Sequence, residues 1–178
     1  MDVVVLKNSH ELAHRAITKE GSDAVYPFGC GIYQWAVTYS DQLLDNFLSS
    51  HDGTDADFEV LKDAKVRIPS SIGWGQMITK TAEVSAGLWN EEFLSWGAED
   101  CEFYYRLNLF GFKVGRVIDD IYHFEHGRTF NSHYHNPKFQ DNDRLWNWIR
   151  TQDKESVTQY YSKLDYIKRR GEELNAGL

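Results

Sequence analysis

Apolar runs alternate with amphipathic segments from the start of the chain. The run Val3–Leu6 predicts a buried strand. An amphipathic helix is predicted over residues 10–19, with Asn8 or Ser9 as its N-cap. A second short strand is predicted over residues 24–26. Strands that alternate with helices are typical of an α/β domain.

The remaining segments continue this alternation. Strands are predicted over residues 65–68 and 113–118, and helices over 41–48, 78–87, 99–110, 143–150 and 155–170. Gly111 follows the helix 99–110 in the position of a C-cap glycine. Residues 29–39 are predicted as loop or short strand, and residues 51–57 and 123–137 as polar loops, because they lack a clear period.

Composition restricts the classes of partner. With 178 residues, 42% of them hydrophobic and 26% charged, the chain has the balance of one globular domain. The net charge of −8 argues against binding to nucleic acid or to anionic membranes. No run of eighteen apolar residues exists, so no transmembrane helix is predicted. The two cysteines, Cys30 and Cys101, form no disulfide framework, and as reduced thiols they favour a cytoplasmic protein.

The segment His10-Glu11-Leu12-Ala13-His14 matches the HExxH pattern of zinc hydrolases. Two histidines four residues apart share a helix face, and the glutamate between them can act as a base on zinc-bound water. The apolar residues of the same segment are equally explained by an ordinary amphipathic helix. Both interpretations stay open at this point, and the second is favoured.

Two further segments carry candidate chemistry. Trp96-Gly97-Ala98-Glu99-Asp100 places an aromatic ring and two adjacent carboxylates at a predicted helix start, where the helix dipole favours ionised acids. An indole can pack on the apolar face of a sugar while carboxylates bind its hydroxyls. His123, His126, His133 and His135 lie within thirteen residues, together with Glu125. This cluster indicates either a transition-metal site or a polar surface loop.

The order of these motifs resembles the C-terminal half of GT-A fold glycosyltransferases, particularly the β-1,4-galactosyltransferases and the polypeptide N-acetylgalactosaminyltransferase-like groups. The resemblance runs from Gly75 to Arg128. Its elements are Gly75, Gly87-Leu88-Trp89-Asn90-Glu91, Trp96 to Asp100, Arg106, Gly111-Phe112-Lys113-Val114 and His123 to Arg128. Several motifs in one order are more specific than HExxH alone.

The resemblance implies an α/β chain with a partial GT-A fold, from which most of the N-terminal nucleotide-binding sheet is missing. It implies an acceptor-side catalytic region over residues 1–140 and a C-terminal helical extension over 141–178. At the start of the chain, Asp2 would be the last residue of an Asp-x-Asp motif. We therefore expect a fragment that is inactive alone, and leave open whether self-association covers the predicted strand edge at Val3–Leu6.

The resemblance also implies a mechanism. Asp2 and His126, with His123 as the alternative, would hold Mn²⁺ on the diphosphate of a UDP-sugar donor. Asp100 would deprotonate the hydroxyl of a saccharide or glycan acceptor, giving inversion. Other residues would bind substrate, and residues 127–137 would form a mobile lid. The substrate-binding set is Trp74, Gly75, Trp96, Glu99 and Arg128.

These motifs are consistent with three functions. The first is a UDP-sugar-dependent glycosyltransferase that transfers a hexose or N-acetylhexosamine to a sugar acceptor. The second is a non-catalytic carbohydrate-binding or assembly module, which would bind the acceptor without binding nucleotide. The third is a zinc hydrolase that uses the HExxH segment, which would retain zinc on purification.

Overall fold

The structure is a computed structural model that describes residues 3–50, 57–68, 72–127, 129–132 and 134–176. The strands are β1 Val3–Val5, β2 Ala24–Tyr26, β3 Gln34–Thr38, β4 Lys65–Arg67, β5 Met77–Ile78, β6 Val114–Arg116 and β7 Ile121–Glu125. The helices are α1 Lys7–Thr18, α2 Asp41–Ser49, α3 Lys80–Ser85, α4 Glu99–Phe110, α5 Phe139–Ile149, α6 Lys154–Tyr161 and α7 Asp165–Ala176. Across these ranges, no helix combines the length and apolarity needed to cross a membrane.

The chain divides into two compact units. The first contains Met1–Met77 and Gly115–Gly127, and the second contains Ile78–Val114 and Arg128–Leu178. These boundaries differ from a main region over 1–140 with a helical extension over 141–178, and that functional division stays a prediction. The mixture of helices and strands confirms the α/β class.

The first unit is built on a four-stranded mixed sheet with the strand order β1-β7-β3-β4. The central strands β3 and β7 are parallel, with Ala36 opposite His123, and each outer strand is antiparallel to its neighbour. One face packs on α2 and on a 3-10 helix at Phe58–Leu61. The buried residues of this core are Val37, Phe47, Leu61, Tyr122 and Phe124. A second sheet has the order β5-β2-β6.

Strand β7 corrects the prediction of a polar loop over residues 123–137. Ile121, Tyr122 and Phe124 are buried, whereas His123 and Glu125 are partly exposed. Burial alternates from Tyr122 to Glu125, as in a strand with one face in the core, so the predicted loop begins too early in the chain. The pair His123 and Glu125 is therefore fixed by a central sheet strand.

The predicted start of α1 was also wrong. The helix begins at Lys7, and Leu6 occupies the N-cap position without a side-chain hydrogen bond. Ser9 is buried inside the helix, and its hydroxyl donates to Oδ2 of Asp119 at 2.6 Å. A hydroxyl that looks like a cap in sequence thus serves a contact across 110 residues.

The second unit is largely helical. α4 spans residues 99–110 as predicted, and Gly111 ends it with a left-handed φ of 84°. The predicted helix over 155–170 is divided into α6 and α7 by a turn after Tyr161. The core of this unit contains Phe93, Ile149, Val157 and Tyr161.

Candidate functional site

The start of α4 carries two partly buried carboxylic acids. Glu99 is the first residue of the helix, Asp100 is the second, and Ala98 at the N-cap gives no side-chain hydrogen bond. Burial raises the pKa of Asp100. Burial also raises the pKa of Glu99, and the neighbouring Asp100 adds to this, although backbone hydrogen bonds act against it. Oε2 of Glu99 is buried without a hydrogen-bond partner in the described part of the chain.

The direction of these pKa shifts is opposite to the effect expected from the helix dipole alone. The positive end of a helix stabilises carboxylates, but removing a carboxylate from water disfavours its charged form. Here burial is the cause of the raised pKa of Asp100, and at Glu99 it has a larger effect than the backbone hydrogen bonds that lower the pKa. An acid with a raised pKa has a more basic carboxylate, which suits a group that accepts a proton from a hydroxyl.

Trp96 presents a partly exposed indole immediately before this pair. Its side chain stacks on Phe139 of α5, with ring centroids 5.4 Å apart and an interplanar angle of 16°. The residue remains 37% exposed. A stacked, partly exposed indole beside two carboxylic acids matches the chemistry of a pyranose, which has apolar C–H faces and hydroxyl edges.

The first unit contains a separate group of aromatic and imidazole rings. Trp74 stacks on His123, with centroids 5.2 Å apart and an interplanar angle of 13°. The centroid of His126 lies 5.8 Å from that of His123. The structure therefore brings together three predicted site residues, Trp74, His123 and His126, near the end of β7.

Hydrogen bonds set the tautomers of both imidazoles. Nδ1 of His123 lies 2.9 Å from Oε1 of Glu125, and Nδ1 of His126 lies 3.1 Å from the carbonyl oxygen of Gly127. Each of these oxygens accepts, so we assign the proton to Nδ1 and the lone pair of the neutral ring to Nε2. A histidine that binds a metal commonly donates its other ring N–H to such an oxygen. The donor chemistry of both rings therefore fits a divalent metal.

The described residues do not by themselves complete a metal site. Among them, no group of three or more His, Cys, Asp or Glu side chains could hold an ion. Asp2, Arg128 and His133, which the sequence predicts at the site or in the histidine cluster, lie outside the described residues. His135 belongs to the other compact unit and packs its ring against Tyr134.

The HExxH segment lies on the outside of α1. His10, Glu11 and His14 are all exposed, whereas Ala13 within the same segment is buried. Since the described residues provide no third ligand grouped with them, these features favour the amphipathic-helix interpretation over a zinc site.

Arg106 was named from the sequence only as an element of the resemblance, and the polar residues that hold the α4 region together with it were not identified. Glu102 and Arg106 form a fully buried ion pair on α4, and the hydroxyl of Tyr161 donates to Glu102 at 2.7 Å. The i, i+4 spacing of the acid and the arginine was a readable signal for this pair. Asn142, which bonds the backbone of Leu94 and Trp96, gave no sequence signal because its partners lie 46 to 48 residues away.

Comparison with known families concerns the middle of the chain. Residues 63–127, somewhat more than a third of the chain, match a family model described as the N-terminal domain of galactosyltransferase. The matched segment contains Trp74, Gly75, the start of α4, His123 and His126. No curated protein and no solved structure gives a significant match. The family match supports a galactosyltransferase-like relationship and, at family level, a glycosyltransferase.

Proposed function

We propose that the chain provides the acceptor-side catalytic region of a GT-A glycosyltransferase, which transfers a hexose or N-acetylhexosamine from a UDP-sugar to a saccharide. In this proposal the chain is active by itself, in place of the inactive fragment that the resemblance implies. One observation carries the proposal. The segment similar to galactosyltransferase contains a turn in which a stacked indole precedes two partly buried carboxylic acids at a helix start. This combination offers an aromatic surface for a sugar ring and a base for its hydroxyl.

Asp100 is the proposed general base. Its partly buried carboxylate accepts the proton of the acceptor hydroxyl while that oxygen attacks the anomeric carbon of the donor. The new glycosidic C–O bond forms as the bond between the anomeric carbon and the diphosphate oxygen breaks, and UDP leaves with the electron pair. Attack from the face opposite the diphosphate inverts the anomeric configuration.

Glu99 and Trp96 are proposed to bind the acceptor. The ring of Trp96 lies against one face of the sugar, and the stack on Phe139 fixes the plane in which it does so. The carboxylate of Glu99, whose Oε2 has no hydrogen-bond partner in the described part of the chain, accepts hydrogen bonds from sugar hydroxyls. These contacts select a saccharide acceptor and hold its hydroxyl for transfer.

His123 and His126 are the proposed metal-binding residues of the first unit, together with Asp2. Imidazole nitrogen and carboxylate oxygen suit Mn²⁺, which when bound neutralises charge on the leaving diphosphate. The hydrogen bonds from Nδ1 hold both rings with Nε2 as the donor atom. Trp74, Gly75 and Arg128 are proposed to contact the donor.

Calorimetric titration of UDP into the full chain tests this assignment. UDP is expected to bind in Mn²⁺ and to lose most of its affinity in EDTA. His126→Ala is expected to weaken the Mn²⁺-dependent binding at least tenfold. His14→Ala changes an exposed histidine of α1 and serves as the matched control, which should bind as the wild type does. Equal UDP affinity in Mn²⁺ and in EDTA would refute the metal-dependent donor site.

A carbohydrate-binding module is the second candidate function. The stacked and partly exposed Trp96 favours it, because this feature needs no nucleotide to bind a sugar. It predicts saccharide binding without UDP binding under either condition. Detection of transfer from a UDP-sugar would exclude it as the function of the chain.

A further inference from the structure

One buried amide holds the backbone that leads into the proposed acceptor site. Asn142 of α5 is 1% exposed. Its Oδ1 accepts from the backbone N–H of Leu94 at 3.1 Å, and its Nδ2 donates to the carbonyl oxygens of Leu94 and Trp96 at 3.0 and 3.2 Å. A single side chain thus satisfies three backbone groups on both sides of Ser95.

The glycine after Trp96 is explained by the same side chain. A Cβ atom built at Gly97 would lie no more than 2.9 Å from three side-chain atoms of Asn142, closer than real Cβ contacts. The absence of a side chain at Gly97 therefore lets the turn approach the amide. The Trp-Gly pair found in the sequence serves this close approach as well as the turn itself.

A second set of hydrogen bonds holds Ser95, the residue between Leu94 and Trp96. Ser95 has a left-handed φ of 65°, which is unfavourable for a residue with a side chain. Its hydroxyl donates to the carbonyl oxygen of Asn131 at 2.6 Å, and the backbone N–H of Trp96 donates to the same oxygen at 3.2 Å. Buried Asn136 donates to that oxygen and to the Ser95 hydroxyl.

We propose that Asn142 is a positioning residue of the transferase, fixing the Trp96–Asp100 turn so that the indole and the two carboxylic acids face the acceptor together. The proposal rests on the proposed function. Asn142 contacts neither sugar nor base; it acts through the backbone of Leu94 and Trp96. Because Phe139 belongs to the same helix, α5 supplies both the amide that holds the backbone and the ring that supports the indole.

The test compares Asn142→Ala with Val157→Ala in the full chain. Val157 is fully buried in the same unit but makes no side-chain hydrogen bond to the turn, so its truncation controls for loss of stability. The first readout is the ¹H–¹⁵N cross-peak of the Trp96 indole, assigned by its disappearance in Trp96→Phe. The second is kcat/KM for the acceptor and KM for the donor, measured per folded molecule well below the melting temperature of each variant.

Asn142→Ala is expected to shift or broaden the Trp96 peak and to lower acceptor kcat/KM at least tenfold, while donor KM stays within twofold. Val157→Ala is expected to do neither. Overlap of the Asn142→Ala peak with the wild-type peak would overturn the proposal. So would an unchanged acceptor kcat/KM, or equal effects of the two variants.

Asn142→Asp provides a second variant that keeps the shape of the side chain. The ionised carboxylate retains the bond from the Leu94 N–H but loses both donated bonds, and protonation restores one donor. Because Glu99 and Asp100 beside Trp96 also titrate, the Asn142→Asp peak is compared with the wild-type peak at each pH. The separation between the two peaks should shrink as the pH falls, and a pH-independent separation would contradict the proposal. Absence of transfer by the wild type would refute the proposed function, while the indole peak would still decide whether Asn142 fixes the turn.

Discussion

Loss of Arg106 should destabilise the protein strongly, because it would leave a buried carboxylate without its cation. Arg106 and Glu102 are both fully buried and form two parallel contacts, Nε to Oε1 at 2.8 Å and Nη2 to Oε2 at 2.9 Å. Arg106 also donates to the carbonyl oxygen of Ala86 and lies 4.1 Å from the ring centroid of Tyr161. The pair therefore joins α4 to two other parts of the same unit.

The magnitude follows from what each variant leaves buried. Arg106→Met removes the cation alone, and breaking a buried pair in this way costs about 3–5 kcal/mol. For a chain of this size that corresponds to a fall in melting temperature of roughly 6–20 °C. In Glu102→Gln/Arg106→Met the remaining amide is neutral and can still accept from Tyr161, so a smaller loss, about 1–2 kcal/mol, is expected.

Urea unfolding of Arg106→Met, Glu102→Gln and the double variant measures the coupling between the two side chains. Arg144→Met is the control, because Arg144 pairs with Asp141 at an exposed position and such pairs contribute at most about 1 kcal/mol. Arg106→Met is expected to be less stable than the double variant. If Arg106→Met were as stable as the double variant, or as the Arg144→Met control, a buried charge without its partner would not be the cause of the destabilisation.

Three further predictions concern other parts of the chain. Burial raises the pKa of Asp100, so the folded state binds this proton more firmly than the unfolded chain, and the protein loses stability as the pH rises through that pKa. In urea unfolding, Asp100→Asn should therefore be at least as stable as wild type at pH 7, and the difference should vanish below about pH 3. A variant that is less stable than wild type at pH 7 would contradict this. Gly87→Ala should lower the free energy of unfolding by about 1–3 kcal/mol in the same assay, because φ is +93° and a Cβ would lie 3.0 Å from the Tyr161 ring. An unchanged urea midpoint would contradict this, because it would show that Gly87 has room for a methyl group. Replacing His10 and His14 by alanine together should leave Mn²⁺-dependent UDP affinity within twofold by calorimetry, since both are exposed on α1, and a loss of binding would place the metal there.

Elements with local signals were predictable from the sequence. Helix α2 was predicted over 41–48 and spans Asp41–Ser49, and α4 was predicted over 99–110 with the bounds that it has. Ser40 caps the first by accepting from the N–H of Leu43, and Gly111 ends the second in the left-handed region. Capping and glycine geometry act within a few residues, so they can be read from neighbouring positions.

Elements that depend on distant partners were not predictable in the same way. Strand β7 was missed because its polar positions, His123 and Glu125, are fixed by pairing with β3, about 87 residues earlier. Ser9 was assigned to a cap because its distant partner, Asp119, cannot be identified from local sequence. Tertiary contacts decide such positions, and a single sequence contains no local record of them.

The candidate site shows the same division. The Trp-Gly turn followed by two acids at a helix start was readable as a motif, and the structure places it at the start of α4. The sign of the pKa shift at Asp100 was not readable, because it depends on how far the side chain is removed from water. The hydrogen bonds of Asn142 to the backbone of Leu94 and Trp96 could not be predicted either, because an asparagine in a helix can equally point to solvent or bond its own backbone.

The most direct test of the account is acceptor-dependent release of UDP by the full chain. A panel of UDP-hexoses and UDP-N-acetylhexosamines is incubated with Mn²⁺ and saccharide acceptors, and wild type is compared with Asp100→Asn and with Asp143→Asn, a change at an exposed acid of α5. The account predicts transfer by wild type and by Asp143→Asn, and a loss of 10²- to 10⁴-fold in Asp100→Asn. Wild-type rates in Asp100→Asn, or no UDP release with any donor and acceptor, would contradict it.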